Sequence, residues 1–266
     1  MYTFTYHRPA NTKQAATLLG KKETKALAGG QTLIPTLKLR LASVDNIVDL
    51  GGIKGLDKIE LKGKNLVIGA MARHAQVAGS SAVKKSIPAL AALAEMIGDP
   101  HVRNQGTIGG SLANNDPSAD YPAACLALGA TIVTNKRKIP ADKFFKGLFE
   151  TALGRGEMIL QVSFPVPKRA GYQKFPNPAS RYALVGVFVA DHGKDVRVAV
   201  TGAGEDGVFR AKDMEAALKK KFAAASLDGV KVPAKGIMSD IHADAPYRAH
   251  LVVVMARRAV AGAGGG

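Results

Sequence analysis

Two pairs of adjacent glycines, Gly29-Gly30 and Gly109-Gly110, constrain this chain more than any other feature. The first pair stands in Ala28-Gly29-Gly30-Gln31-Thr32. A short run, Thr24 to Ala28, leads into it and reads as a strand. Leu33 to Ala42 follows and reads as a helix with Pro35 in its first turn. Adjacent glycines permit positive φ and leave no side chain in the way of an approaching group. Successive N–H groups in such a turn can form an anion-binding nest, and the start of a helix adds a favourable dipole. Taken alone, this loop reads slightly better as a tight turn before a helix. The second pair, in Thr107-Ile108-Gly109-Gly110-Ser111, repeats the design with no obvious helix after it. Two such loops suit a diphosphate approached from two sides. Neither has the spacing G-x-G-x-x-G or the ending Gly-Lys-Ser/Thr, so the ordinary nucleotide-binding folds are disfavoured.

The rest of the chain mixes strand and helix patterns. Residues 11–19 predict a helix ended by Gly20, and Asn46 to Leu50 a strand. Ile59 to Leu61 and Asn65 to Ile68 flank Lys62-Gly63-Lys64 as a hairpin. Ser81 to Ile97 is helical with a break at Pro88. Gly98 to Asp120 is polar, glycine-rich and without periodicity, which in a compact domain marks function. A helix from Tyr121 to Leu128 and strands at Thr131–Thr134 and Glu157–Phe164 follow. Pro165 to Gly171 is the best candidate boundary. Beyond it come strands at Tyr172–Phe175, Tyr182–Val189 and Val196–Thr201. Helices at Lys212–Ala225 and Ala245–Val260 and a frayed tail from Ala261 to Gly266 complete the chain. Without regular βαβ alternation the class is α+β rather than a doubly wound sheet.

Composition removes several functions. One cysteine, Cys125, cannot hold an iron–sulfur cluster within the chain, since such clusters need about four thiolates. Its apolar surroundings make it a small core residue. No run of about 18 apolar residues suggests a membrane span. The start lacks the pattern of a signal peptide, so the cytoplasm is the default location. The formal charge of +16 is spread along the chain, and its densest cluster, Lys219-Lys220-Lys221, reads as a solvated helix face. No basic segment interleaves with aromatics and no zinc-finger spacing occurs, so nucleic acid is not an expected partner.

The residues around the glycine pairs resemble a known family. Ala28 to Pro35, Lys38-Leu39-Arg40-Leu41-Ala42 and Val48-Asp49-Leu50 look like the first FAD motif of molybdenum hydroxylase flavoprotein subunits. These are the medium subunits of carbon monoxide dehydrogenase and of xanthine dehydrogenase relatives. Ile68 to Met71 and Arg73-His74 resemble the next segment. Asp99 to Ser111, continuing to Asp116-Pro117-Ser118-Ala119-Asp120, resembles the second motif. The resemblance runs nearly end to end. It implies a two-part FAD-binding region of the vanillyl-alcohol-oxidase (PCMH) type over residues 1–168, with subdomains of about 1–54 and 55–168. A small α+β domain over 169–266 would follow.

The resemblance also implies roles. Ala28, Gly29, Gly30, Gln31 and Thr32 would cradle the FAD pyrophosphate from one side. Thr107, Gly109, Gly110 and Ser111 would do so from the other. Gln31 stands where many relatives carry histidine or another polar residue. Asp120 matches an acidic position expected near the adenosine ribose, and Ile159 an apolar position packed on flavin or adenine. Lys174 matches a lysine near the isoalloxazine, and Tyr182 an aromatic covering that ring in some members. Read without the resemblance, Asp120 caps a helix, Ile159 is core, Lys174 is a surface residue at even odds, and Tyr182 is core with a bonded tip. Asn115 and Asp116 suit turn geometry as well as cofactor contacts, and His74 and His101 receive no chemical role.

The expected complex is a heterotrimer, arranged as a dimer of heterotrimers. A large subunit carries the molybdopterin cofactor and a small one carries two [2Fe–2S] clusters. This chain would take electrons from those clusters and pass them to an external acceptor, with peripheral attachment at the inner membrane face as a further expectation. Two alternatives stand beside it. One is a stand-alone flavin oxidoreductase of the same superfamily; the other is a basic nucleic-acid-binding module.

Overall fold

The computed structural model describes residues 1–265. The chain opens with β1 (Thr5–His7), α1 (Thr12–Leu19), β2 (Thr24–Leu27), α2 (Leu33–Lys38) and β3 (Asn46–Asp49). β3 lies between β1 and β2, parallel to both. Asn11 starts α1 by accepting the Gln14 N–H at 3.0 Å, and Gly20 ends it. The helix predicted to reach Ala42 stops at Lys38, because Arg40 turns left-handed at φ +59°.

The second unit begins with the hairpin β4 (Ile59–Lys62) and β5 (Asn65–Gly69). Six helices follow: α3 (His74–Gly79), α4 (Ser81–Ser86), α5 (Pro88–Glu95), α6 (Pro100–Gln105), α7 (Ile108–Asn114) and α8 (Tyr121–Ala127). Then come β6 (Thr131–Thr134), β7 (Lys138–Pro140), α9 (Ala141–Phe144), the small hairpin β8 (Phe145–Gly147) and β9 (Glu150–Thr151), and β10 (Ile159–Pro165). The main sheet runs β4-β5-β10-β6-β7 and is antiparallel. The glycine-rich stretch from Gly98 to Asp120 is therefore not structureless. Asp99 caps α6 and Thr107 caps α7, and short capped helices carry too few apolar positions to show a period. β10 starts at Ile159 rather than Glu157. Glu157 is clasped by Arg137 at 3.0 Å, by Thr134 and by the Gly154 N–H.

The third unit is β11 (Arg169–Pro176), β12 (Ala183–Asp191), β13 (Val196–Thr201), β14 (Phe209–Arg210), α10 (Lys212–Lys220), α11 (Ala245–Ala261) and β15 (Gly264–Gly265). Its sheet runs β14-β13-β12-β11-β15. The tail expected to fray thus adds a strand: Gly264 pairs with Ala170 and Gly265 with Arg169. Gly266 lies outside the described residues. α10 ends before Phe222, whose ring lies under the Arg169 guanidinium at 4.1 Å.

β12 is buried throughout, which explains its nearly continuous apolar sequence. Val185, Val187 and Val189 face α10 and α11 in one core, with Met214, Leu218 and Met255. Phe188 and Ala190 face the other way, into the core built by α5, α8 and β10. The third sheet and the middle unit thus share a core. That packing brings β11 against the segment leaving α7.

Candidate functional site

β2 delivers the chain into the first glycine loop. An added Cβ at Gly29 would lie 2.2 Å from the Gln105 carbonyl oxygen and 2.7 Å from the Gly106 Cα. The first loop therefore rests directly on the backbone that leads into the second. Gly30 takes φ +74°, a left-handed conformation that glycine adopts without strain. Among the described residues, the N–H groups of Gly29, Gly30, Gln31 and Thr32 find no protein acceptor. The bonds nearby use the carbonyls instead. Ile34 donates to Gly30 at 3.1 Å, and the Gln31 amide folds back on Gly29 at 3.2 Å. Thr32 begins α2 with its hydroxyl uncommitted to a cap. α2 has only six residues, so anion binding here rests on the loop's own donors.

The second loop is differently employed. Ile108 N–H donates to Ala72 at 3.0 Å and Gly109 N–H to Ala70 at 2.8 Å. Gly110 N–H donates to the Thr107 hydroxyl at 3.1 Å, and Ser111 N–H to the Thr107 carbonyl at 3.0 Å. A Cβ at Gly109 would lie 2.6 Å from Ala70, so this glycine serves protein packing. At Gly110 an added Cβ would meet the Thr107 hydroxyl at 3.0 Å and the Ala28 Cβ at 3.7 Å. There the loops face each other. The two loops thus differ in what they leave open. The first loop offers open donors, while the second offers shape, a bare glycine and the Thr107 and Ser111 side chains.

His74 supports this contact from behind. Its N–H donates to Gly106 at 2.9 Å, and its ring packs against Gly106, where a Cβ would meet Nε2 at 2.6 Å. His74 Nδ1 and the Tyr121 hydroxyl are buried without partners among the described residues, their rings 5.4 Å apart. Burial, then the nearby Arg103 guanidinium, holds the His74 pKa down to about 4.

Asp120 lies beyond α7, buried at the start of α8, and makes no cap hydrogen bond. The Lys174 ammonium meets its carboxylate at 2.9 Å and also donates to the Met96 carbonyl at 3.1 Å. The Tyr172 hydroxyl donates to Asp120 at 2.5 Å. Burial raises the Asp120 carboxyl above its usual range, while Lys174 and Tyr172 pull it back. Gly186, opposite Lys174 on β12, makes room for Tyr172: a Cβ there would lie 2.5 Å from the tyrosine hydroxyl.

Lys174 is not the surface residue that an isolated lysine on a strand suggests. The pairing was signalled by Tyr172-x-Lys174, which puts a hydroxyl and an ammonium on one strand face. Sequence reasoning missed Tyr172, and it gave His74 no role. Ile159 is buried in the shared core, and its neighbour Leu160 accepts the Ala70 N–H at 2.9 Å, tying β10 to the strand end beneath Gly109. Tyr182 is half-exposed at the start of β12. Burial raises its pKa, and the Asp116 and Asp120 carboxylates raise it further. Neither Lys174 nor Tyr182 hydrogen-bonds to either glycine loop.

Comparison with known proteins identifies the family. The family described as "FAD binding domain in molybdopterin dehydrogenase" matches residues 2–167. The nicotine 6-hydroxylase medium subunit of Paenarthrobacter nicotinovorans is 37% identical, over 97% of this chain and 96% of that protein. The carbon monoxide dehydrogenase medium chain of Hydrogenophaga pseudoflava is 32% identical over the same shares. Among solved structures, reconstituted CO dehydrogenase from Oligotropha carboxidovorans superposes with a TM-score of 0.88 at 31% identity, over 98% of this chain and 97% of that one.

Proposed function

The chain belongs to the family of FAD-binding domains of molybdopterin dehydrogenases, and from that premise we propose that it relays electrons between two partners. It takes them from the [2Fe–2S] clusters of a small subunit. It passes them to an external acceptor while a large molybdenum subunit oxidises the substrate. The observation that carries the proposal is the first loop. Four consecutive N–H groups without protein acceptors among the described residues lie on a neighbouring loop whose donors are already satisfied. FAD supplies two-electron storage when bound. The chain's task is to bind, orient and shield it.

In this reading Gly29 to Thr32 donate to the pyrophosphate, and Gly110, Thr107 and Ser111 close the other side. Lys174 acts through Asp120, because each is already the other's partner. The pair fixes the segment that leaves α7, and with it the adenosine end of the site. Tyr182 supplies aromatic surface for the rings; Ile159, buried in the core, holds β10 in place and does not face the cofactor. Residues 1–168 form the cofactor domain and 169–266 a smaller one. The relatives named as medium subunits match this chain over 96% of their own length, which favours a subunit over a stand-alone oxidoreductase. No helix is long and apolar enough to cross a membrane, among the residues described. We place the complex in the cytoplasm, with contact to the membrane face.

The test is spectroscopic. The purified chain should be yellow, release FAD on denaturation, and co-purify with a larger and a smaller subunit as a dimer of heterotrimers. A colourless chain, or a fully active species of 27.8 kDa, would overturn the reading.

A further inference from the structure

We propose that the turn leaving α2, Lys38-Leu39-Arg40-Leu41, is the knob on which the small iron–sulfur subunit docks; this rests on the flavoprotein reading above. α2 begins at Thr32, the last residue of the open first loop, and its six residues span about 9 Å. The turn is therefore one short helix away from the N–H groups of Gly29 to Thr32.

The turn is tightly built and at odds with its own residues. The Arg40 N–H donates to the Leu37 carbonyl at 3.1 Å, and the Leu41 N–H to the Thr36 carbonyl at 3.0 Å. With Arg40 left-handed at φ +59°, these two bonds make a Schellman motif at the helix end. The left-handed position ordinarily takes glycine, and the residue after it ordinarily packs back on the helix. Here the first is an arginine, and the second, Leu41, is 75% exposed. The residue it would pack on is Thr36, whose hydroxyl donates to the Thr32 carbonyl at 2.8 Å. Leu39 is 68% exposed as well. Leu37 and Val44 bury the turn's inner side in a small core, so both leucines are held outward on a fixed backbone. The half-exposed Tyr2 ring lies 5.6 Å from the Arg40 guanidinium and widens the apolar patch. Strain at Arg40 and two leucines in water are unfavourable for the chain alone, and a partner that covers them accounts for both.

Charge selects the occupant. Residues 1–54 hold eight Lys and Arg against three acidic residues, Glu23, Asp45 and Asp49. Asp49 is already engaged by the Tyr6 hydroxyl and by Arg8. Lys38 and Arg40 stand exposed on either side of Leu39. An apolar centre with a cationic rim fits a docking face that has an apolar pocket and an acidic rim. Thiolate-ligated iron–sulfur clusters add their own negative charge to the protein that carries them. That protein is also the one that must come close to the flavin to deliver electrons, and the turn lies close to the first loop.

The test is titration of the purified chain with the small subunit that co-purifies with it, at low and at high salt. FAD content and the Tm of the chain are read in parallel. Leu39→Ser combined with Leu41→Ser should weaken small-subunit binding by about tenfold or more, with FAD retained. Arg40→Glu should weaken it by a similar factor and flatten its salt dependence. Arg40→Gly suits the left-handed position, so it should raise the Tm of the chain while weakening the small subunit by about threefold. Ile241→Ser, at a 95% exposed position in the third unit, is the matched control and should change neither quantity. Small-subunit affinity that ignores the double variant and Arg40→Glu overturns the assignment. So does a double variant that loses the large subunit, self-association or binding to anionic lipid vesicles while keeping the small subunit. FAD content separates the two readings. A yellow chain whose small subunit ignores the turn refutes this inference alone. A colourless chain refutes the flavoprotein reading, and one that also binds no small subunit overturns both.

Discussion

In the first glycine loop, the N–H groups of Gly29 to Thr32 have no protein acceptor among the described residues; in the second, those of Ile108 to Ser111 all have one. The difference follows from what each loop leans on. The first emerges from a three-stranded sheet and touches the protein with one face, at Gln105 and Gly106. The second is threaded over Ala70 and Ala72 at the end of β5 and is capped internally by Thr107. Paired glycines mark a close approach of backbone. Whether ligand or protein makes that approach depends on the surrounding hydrogen bonds. Damage to the second loop's supports should therefore appear first as lost stability. Damage to the first should appear as lost cofactor.

The largest effect is expected where the second loop's outgoing chain is anchored. Lys174→Met leaves the Asp120 carboxylate buried beside Tyr172 with no cation. Breaking a buried pair in this way costs about 3–5 kcal/mol. Urea unfolding of the apo chain should show a loss of that size. Retention of wild-type stability would show the pair to be incidental. Asp120→Asn added to Lys174→Met removes the stranded charge and should recover part of the loss.

Next in size is an acid sensitivity set behind the second loop. His74 is held neutral by burial, with a pKa near 4 against about 6.5 for an unperturbed histidine. The unfolded chain therefore binds this proton first as the pH falls. The contribution to stability is complete above pH 6.5 and is lost as the pH falls toward 4. A shift of this size is worth about 3 kcal/mol. His74→Phe keeps a ring against Gly106 and Tyr121 and removes the titration. Its stability should be flatter across that window than wild type. Parallel curves for the two proteins would mean that other groups drive the acid loss.

These two supports also show what was legible in the sequence. The glycine pairs, the hairpin at Lys62-Gly63-Lys64, the long apolar strand β12 and the helix at Tyr121 were readable because each depends on residues close in the chain. The ion pair was not readable in full, because Asp120 and Lys174 come together only when β11 packs on the middle unit. α6 and α7 were hidden for a different reason. Their signals are the caps Asp99 and Thr107, and the glycines inside the first turn of α7 suggest a loop. Similarly, nothing before the fold distinguishes Gly109, which packs on Ala70, from Gly29, which lies against Gln105 and leads the open donors.

The smallest effect separates the loops most sharply, through one hydroxyl on each. The Thr107 hydroxyl accepts the Gly110 N–H, so Thr107→Ala removes a helix cap and should cost about 0.5–2 kcal/mol of apo stability. FAD affinity should then fall only as far as the loosened loop allows. The Thr32 hydroxyl caps nothing and is exposed. Thr32→Val should therefore leave the apo Tm unchanged. It removes one donor to the pyrophosphate, worth about 0.5–1.5 kcal/mol, or roughly threefold to tenfold in FAD affinity. Thermal melts with and without added FAD measure both quantities on the same samples. If Thr32→Val lowered the apo Tm while sparing FAD affinity, the first loop would be a structural turn like the second. The open donors of Gly29 to Thr32 would then need another explanation.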